Sequence, residues 1–208
     1  MSYKRSSLMQ ERMEQNRETI LQSARELIAQ GGFKDAQIQA IAERAGVSSG
    51  LVYRYFDNKS QVLIEVLSDA IQHEIQILNN IAASNLPVTE KLHKAVSTFV
   101  KRALNSPQLA YSLMFEPVDA SIEHERFRSK QLIKQSINEI LAEGKINGEF
   151  GFEDLNTAAL CVVGAMTFVV IEPLNPSKNV RFDQAYKDYF VKQIADFCVS
   201  GVCLKEEN

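Results

Sequence analysis

The sequence predicts an all-α protein in which a small N-terminal helix-turn-helix unit precedes a larger helical bundle, about nine helices in total. Apolar residues recur three and four positions apart along almost every segment of the 208-residue chain, which is the spacing of one helix face. Helix breakers are few, with nine glycines and five prolines, so long helices fit between them. A chain of this length can hold one or two domains with a sizeable core.

The N-terminal segment divides into a polar stretch and a helix. Residues 1–14 are mostly polar, and we expect a flexible tail there. Apolar residues at helical spacing then predict a first helix from about Met13 to Gln30. Gly31 and Gly32 follow, and we expect them to end this helix because glycine readily adopts the conformations found at helix C-termini.

A short helix and a tight turn are predicted between Ile38 and Ser48. Its apolar face repeats at i, i+3, i+4 and i+7 and consists of Ile38, Ile41, Ala42 and Ala45. Gly46 follows directly, and a glycine can take positive φ at little cost, so the chain can turn within three residues. Ser48 then stands where the N-cap of a second helix is expected, because its hydroxyl can accept from backbone N–H groups of the next turn.

The second short helix is predicted at about residues 48–55, and its two faces differ. Leu51 or Val52 faces inward, whereas Tyr53 and Arg54 face outward. Tyrosine and arginine are residue types that contact phosphates and base edges in DNA complexes. The helix, glycine turn and helix therefore indicate a DNA reader, although two ordinary packed core helices would show the same turn.

The TetR family of bacterial transcriptional regulators has a signature that residues 41–63 resemble, IAERAGVSSGLVYRYFDNKSQVL. In that signature the elements IA, AGVS, G, Y, YF, K and L recur in this order and spacing. The close resemblance covers about residues 15–70, and the remainder matches in length and helical pattern. It implies a helix-turn-helix DNA-binding domain at residues 15–60, a helical ligand-binding and dimerisation domain at residues 61–208, and a double-stranded DNA operator as partner.

The resemblance assigns DNA-binding roles to matched positions of this chain. The residues expected at the DNA are Gln37, Ser48, Ser49, Gly50, Leu51, Tyr53, Arg54 and Lys59. Tyr53 is expected to donate its hydroxyl to a phosphate, and Lys59 is expected to touch phosphate at the start of the following helix. Ser49, Leu51 and Arg54 lie at variable positions of the motif and are expected to read sequence, with guanine and phosphate both open as partners of Arg54.

The start of the first helix of the helix-turn-helix departs from the family pattern. A threonine or serine commonly caps that helix and touches phosphate, but Ala36 stands there in this chain. An alanine side chain has no hydrogen-bonding group, so it can do neither. Gln37 is the candidate that supplies the missing contact.

Charge does not carry the DNA-binding prediction. The chain has a net charge of −3, but residues 1–60 hold nine Lys and Arg against seven Asp and Glu. This small excess means that binding has to depend on a few placed cations and helix N-termini. The tail cations Lys4, Arg5 and Arg12 either follow the DNA or are simply solvated.

Helical periodicity predicts six further helices. Asn58 is the expected N-cap of the fourth, which would leave the DNA-reading unit and link it to the rest of the chain. Phe127 is among the residues expected to face inward on the helix near residues 121–143. The predicted helices cover about residues 59–81, 92–104, 107–115, 121–143, 158–171 and 182–203.

The last two helices are the expected site of homodimer formation. The resemblance implies a four-helix interface with the same pair from a second subunit. Gly164 and Ala165 would permit close helix approach, and the final helix carries an aromatic stripe. Both helices could instead fill the core of their own subunit, but a helix-turn-helix protein favours two-fold symmetry on a palindromic site.

The resemblance also implies a small-molecule effector that binds the second domain and shifts the fourth helix. The candidate pocket residues are Phe99, Arg102, Met114, Phe115, His124, Arg128, Met166 and Phe168. A repressor is favoured over an activator because blocking a promoter requires only site occupancy. The effector, the operator sequence and the regulated genes stay open.

Other classes of protein are disfavoured by absent patterns. His73, His93 and His124 lie far apart without metal-ligand spacing, and no GxSxG, GxGxxG or phosphate-loop sequence occurs, so we expect no enzyme, cofactor or metal. No apolar run reaches 18 residues and no secretory signal is evident, which favours the cytoplasm. The three cysteines are expected to be buried free thiols. A helical adaptor that kept the fold without specific DNA binding is the alternative function.

Overall fold

The computed structural model describes residues 2–175 and 182–204, with side chains for residues 8–175 and 182–204. Its described residues form ten helices, two of them only four residues long, and no strand beyond an isolated bridge between Phe150 and Cys203. The all-α prediction is confirmed. The helices are α1 (Ser2–Gly31), α2 (Ile38–Ala45), α3 (Ser49–Val52), α4 (Lys59–Ala82), α5 (Val88–Asn105), α6 (Pro107–Met114), α7 (Ala120–Ile146), α8 (Leu155–Phe168), α9 (Ile171–Leu174) and α10 (Gln184–Val202).

Two apolar cores lie along the molecule, and α4 contributes to both. Its first half places Leu63 and Val66 in a core built with α1, α2 and α3. Its second half places Leu78 and Ile81 in a larger core built with α5, α7, α8 and α10. A displacement of α4 would therefore be felt in both cores, because packed interiors transmit strain.

The smaller core is completed by residues that follow α5. Ile122, in the first turn of α7, is only 2% exposed within it. Leu109 and Leu113 of α6 also pack against it. The helix-turn-helix unit is therefore docked on α6 and α7 as well as joined to α4.

The N-terminus differs from the predicted tail, because α1 begins at Ser2 rather than near Met13. The residues before Met13 include arginine, glutamate, leucine, methionine and glutamine, which are good helix formers, and contain neither glycine nor proline. They extend the helix away from the core, as the exposure of Leu8 and Met9 shows.

The expectation that Phe127 faces inward is wrong. Its side chain is 61% exposed, whereas Arg126 beside it is only 5% exposed. The buried stripe of α7 passes through Arg126 because this guanidinium donates to the carbonyls of Ser112 and Leu113, at 2.6 and 2.9 Å. A buried arginine is tolerated where its N–H groups find such acceptors.

Short polar side chains cap several helices. Asn58 accepts from the Gln61 N–H at the start of α4, as predicted. Asp119 caps α7 and also accepts from the hydroxyls of Ser121 and Ser60, each at 2.5 Å. These hydrogen bonds, with Ser121 contributing most, lower the pKa of Asp119 to about 2.

One helical stretch, Leu155–Leu174, is long and apolar enough by length and composition to cross a membrane. The expectation of no such stretch was based on uninterrupted apolar runs, and Thr157 and Glu172 interrupt this one. Core helices of soluble proteins meet the same criterion. Only 33% of its most apolar window is buried within the subunit, so part of its surface lacks a cover from its own chain.

Candidate nucleic-acid interface

The turn between α2 and α3 has the geometry that the sequence predicts. Gly46 adopts a left-handed conformation, with φ 69° and ψ 28°. Glycine takes this conformation readily because it has no side chain. The N–H of Val47 then donates to the carbonyl of Ala42 at 2.9 Å, which closes the C-terminus of α2. Ser48 caps α3 by accepting from the N–H of Leu51 at 3.2 Å. These bonds set the direction in which α3 leaves the turn.

The second reader helix is shorter than expected. Regular α-helix covers only Ser49–Val52, and a hydrogen-bonded turn continues to Tyr55. Val52 is fully buried and Phe56 is 1% exposed, so these two residues anchor the segment to the core. The inward position is therefore Val52, while Leu51 is half-buried at the edge.

The outward face of this segment presents most of the predicted DNA contacts together. Tyr53 is 56% exposed, and Arg54, Ser48 and Gly50 are also exposed. No described residue forms an ion pair with Arg54. Arg44 on α2, by contrast, is held by Glu26 and Gln30 at 3.2 and 2.9 Å. Arg54 is thus a cation available to a partner, whereas Arg44 is already paired.

Gln37 lies at the N-cap position of α2 but does not cap it. Its side-chain amide donates to the carbonyl of Lys34 at 2.8 Å, and the side chain is exposed. Ala36 is fully buried. The first N–H groups of α2 consequently have no side-chain acceptor, which leaves them free for an anion such as phosphate.

Lys59 is less free than the sequence suggests. Its ammonium donates to the carbonyl of Phe33 at 2.8 Å, and its side chain is half-buried. Burial lowers the pKa of this ammonium, and the nearby Glu116 carboxylate opposes that effect. The Lys59 ammonium therefore has an intramolecular partner, and its contact with phosphate stays a prediction.

The structure does not bring the eight predicted pocket residues together. Three of them, Phe99, Arg102 and Met114, line a cavity of about 270 Å³ enclosed by α1, α4, α5 and α6. The cavity has apolar walls and a few polar groups, which is the usual character of a ligand site. Two of those polar groups, Arg25 from α1 and Glu74 from α4, had not been anticipated.

The other five predicted pocket residues lie elsewhere. His124 and Arg128 are exposed on α7, where Arg128 pairs with Glu125, because they fall on the polar face of that helix. Met166 is fully buried in the larger core, and Phe168 is 69% exposed on α8. Phe115 packs against Tyr111 just after α6. Residue type alone therefore found pocket residues only on α5 and α6.

No sequence signal pointed to Glu74. Its carboxylate accepts from Arg102 Nε at 2.7 Å, and both residues line the cavity. The two residues are 28 positions apart on different helices, so neither helical nor strand spacing relates them. Arg25 likewise belongs to a helix assigned to the other domain.

An apolar face on α8 and α10 is left uncovered within the subunit. Its large side chains are more than 40% exposed and follow one stripe on each helix: Leu160, Phe168, Tyr186, Tyr189 and Phe197. A Cβ added at Gly164 or Gly201 would meet no atom within 4 Å, so this face is also open at its glycines. Exposed apolar patches of this kind mark interaction surfaces.

The cysteines are only partly buried. Cys198 is buried, which raises the pKa of its thiol to about 11, and Cys203 is half-buried. Cys161 is exposed on α8, contrary to expectation, because it lies on the uncovered apolar face. Within the part of the chain that the structure describes, no group of three His, Cys, Asp or Glu residues could hold a metal ion.

These features define a helix-turn-helix protein with a larger helical domain. The proteins to which the chain is similar are of the same class. The sequence model described as "Bacterial regulatory proteins, tetR family" matches residues 20–66. The fatty acid metabolism regulator protein of Bacillus subtilis (strain 168) is 29% identical over 128 residues, which are 62% of this chain and 61% of that protein. The HTH-type transcriptional regulator SrpR of Pseudomonas putida is 29% identical over 167 residues, 77% of this chain and 76% of that one.

A solved structure shares the fold over almost the whole molecule. The transcriptional regulator FadR from Bacillus subtilis, in complex with stearoyl-CoA, superposes with a TM-score of 0.75 and 22% identity. The superposition covers 88% of this chain and 97% of that one. Residues 20–66 therefore resemble the TetR family, and the relatives of the chain are transcriptional regulators.

Proposed function

We propose that the protein is a ligand-responsive transcriptional repressor that binds a palindromic operator as a homodimer and is released by a small molecule. The observation that carries the proposal is the exposed surface around α3. The Gly46 turn and the Ser48 cap fix this segment, and Tyr53 and Arg54 project from it without a described ion-pair partner for the arginine. A repressor of this kind acts in the cytoplasm, where its operator lies.

The uncovered face of α8 and α10 supports the dimer. Four helices from two subunits would bury Phe168, Tyr189 and Phe197, which are each more than 60% exposed in one subunit. An isologous contact lets the same patch serve both subunits and relates the two readers by a two-fold axis. Such an axis matches a palindrome, in which the half-sites lie one helical turn or a multiple of it apart.

The cavity between α1, α4, α5 and α6 supports an effector with an apolar portion. Phe99 and Met114 supply apolar wall, while Arg102 and Glu74 line the cavity as an ion pair. Because α4 lines the cavity and also enters the smaller core, a ligand there can bias the position of the reader. The complex of the similar Bacillus regulator with stearoyl-CoA makes long-chain acyl-CoA the first probe to test.

Selection of DNA from a random pool tests the regulator function. We expect the wild-type protein to enrich one palindrome, and Arg54→Ala to lose that enrichment. Lys130→Ala, which removes an exposed cation from α7, is the matched control and should behave as wild type. If no sequence is enriched, the proposal is overturned and a helical adaptor without specific DNA binding is favoured.

Tryptophan fluorescence tests the cavity separately, since the natural chain contains no tryptophan. Met114→Trp places a single indole at the cavity wall, and Phe127→Trp places one on the exposed surface of α7. Titration with stearoyl-CoA should shift the emission of the first variant and leave the second unchanged. Equal responses would locate the ligand outside the cavity.

A further inference from the structure

The turn between α1 and α2 is held at both backbone groups of one residue. The N–H of Phe33 donates to Glu116 Oε2 at 2.9 Å, and the carbonyl of Phe33 accepts from Lys59 Nζ at 2.8 Å. Glu116 lies two residues after the end of α6, and Lys59 is the first residue of α4. We name this arrangement of Phe33, Glu116 and Lys59 the Phe33 clasp.

Gly32 leaves room for the Glu116 carboxylate of the clasp, because it has no side chain. It has a φ of 85°, which favours glycine, and a Cβ built there would lie 2.7 Å from Glu116 Oε2. The carboxylate therefore approaches the backbone more closely than any side chain at residue 32 would permit. Both hydrogen bonds involve a charged group and are partly buried, which makes them stronger than exposed neutral ones.

A second group connects the same turn to α6. The Arg126 guanidinium lies 5.8 Å from the centre of the Phe33 ring, and the ring is only 4% exposed. That guanidinium also holds the carbonyls of Ser112 and Leu113, which belong to the last turn of α6. The end of α6 is thus fixed to the Phe33 turn through two independent side chains, Glu116 and Arg126.

Another part of the surface of α6 faces the cavity. Leu109, Leu113 and Met114 all line it, and Pro107 begins the helix directly after α5. This eight-residue helix therefore contacts the cavity on one side and leads into Glu116 of the Phe33 clasp at its end, while α4, which begins at Lys59, also lines the cavity. A change in cavity volume would move α6, and the clasp would pass that movement to the turn that precedes α2.

We propose that Glu116 and Lys59 are positioning residues for DNA binding: through the peptide groups of Phe33 they fix the reader to the end of α6. The proposal rests on the proposed repressor function and deepens it. It assigns the Lys59 ammonium to an internal tie, whereas the family resemblance had placed it at a DNA phosphate. The orientation of the reader then follows the position of α6.

Salt dependence of operator binding separates the two roles of Lys59. We expect Glu116→Ala and Lys59→Met each to weaken operator binding about tenfold, with the double variant no weaker than either single one, because both residues hold the backbone of the same residue, Phe33. The slope of log K against log salt should stay at its wild-type value. Loss of a phosphate contact would instead lower that slope by about 0.9 per reader in Lys59→Met alone, and this result would overturn the proposal.

Hydrogen exchange measured by mass spectrometry reports the clasp without DNA. Peptides that contain Phe33 should exchange faster in Glu116→Ala, while Glu116→Gln, which keeps an oxygen able to accept from the N–H, should restore most of the protection. Glu139→Ala and Lys130→Met remove exposed charges from α7 and serve as matched controls. Unchanged exchange in Glu116→Ala would refute the clasp, and far-ultraviolet circular dichroism verifies that each variant is folded.

The two proposals fail in different ways. A wild-type protein that enriches no DNA sequence would remove the repressor function, yet the exchange experiment would still decide whether the clasp exists. Enrichment of an operator together with unaltered affinity in Glu116→Ala would keep the repressor and reject the positioning role.

Discussion

Replacement of Tyr53 by alanine tests the assigned reader most directly. Its side chain is 56% exposed, and its hydroxyl has no hydrogen bond to any described residue. The substitution should therefore change the free energy of unfolding by no more than about 0.5 kcal/mol. Any larger effect on DNA binding would then belong to the interface and not to folding.

The expected loss of affinity follows from one hydrogen bond to phosphate in each subunit. A hydrogen bond to a charged group contributes about 1.5 kcal/mol net, which is roughly tenfold in Kd. A dimer with two equivalent readers would lose roughly a hundredfold if the two contacts are independent. Because phosphate carries no base identity, the loss should be the same on the operator and on a scrambled duplex of equal length.

Fluorescence anisotropy titrations at several salt concentrations measure the Kd for the operator and for the scrambled duplex, and how each Kd depends on salt. The slope of log K against log salt should not change, since a neutral hydroxyl displaces no counterion. Tyr53→Phe should reproduce most of the loss, because it removes only the hydroxyl. Phe127→Ala removes an aromatic ring of similar exposure from α7 and is the matched control for Tyr53→Ala.

Two results would refute the reasoning. Unchanged operator affinity in Tyr53→Ala would mean that the assigned recognition helix is wrong. A loss confined to the operator, with scrambled DNA bound as before, would mean that Tyr53 reads a base and not the phosphate backbone.

Three further predictions concern the dimer interface, the cap of α3 and the stability of the fold at acid pH. Phe197→Glu should yield monomers in multi-angle light scattering, whereas Phe127→Glu, at a similarly exposed phenylalanine of α7, should leave the mass of the dimer unchanged. Ser48→Ala should lower the free energy of unfolding in urea by about 1 kcal/mol, since it removes the α3 cap; no change would show that the cap is dispensable. The folded-state pKa of Asp119 is lowered to about 2 from 3.8, so its hydrogen bonds stabilise the fold above about pH 4 and cease to do so as the pH falls through 2. The melting temperature of Asp119→Asn should therefore lie below that of the wild type at neutral pH and converge with it near pH 2; a constant difference would contradict this.

Local features of the fold were predictable because their causes lie within a few residues. Gly46 has the left-handed conformation expected of it, and Ser48 and Asn58 cap the helices they were expected to cap. Each depends on backbone conformation and on a side chain that reaches two or three residues along the chain.

Contacts between distant helices were not predictable in this way. The sequence favoured Phe127 over Arg126 as a buried residue, because hydrophobicity says nothing of the acceptors at the end of α6. It likewise treated Lys59 as a free cation, since the partner of its ammonium, Phe33, is 26 residues away. Pairings of this kind depend on how helices cross, which a periodic pattern does not specify.

The apolar helix α8 shows that hydrophobicity also does not specify which chain covers a surface. Its sequence is apolar nearly all round, and such helices are buried. In one subunit Val162, Val163 and Met166 are buried, but Leu160 and Phe168 are at least half-exposed. Hydrophobicity therefore indicates that a surface needs cover but not whether that cover comes from the same chain. Open glycine positions on both α8 and α10 favour another helix pair as the cover, because a close approach of backbones is possible there. A self-complementary surface that pairs two readers is the arrangement that a palindromic operator requires.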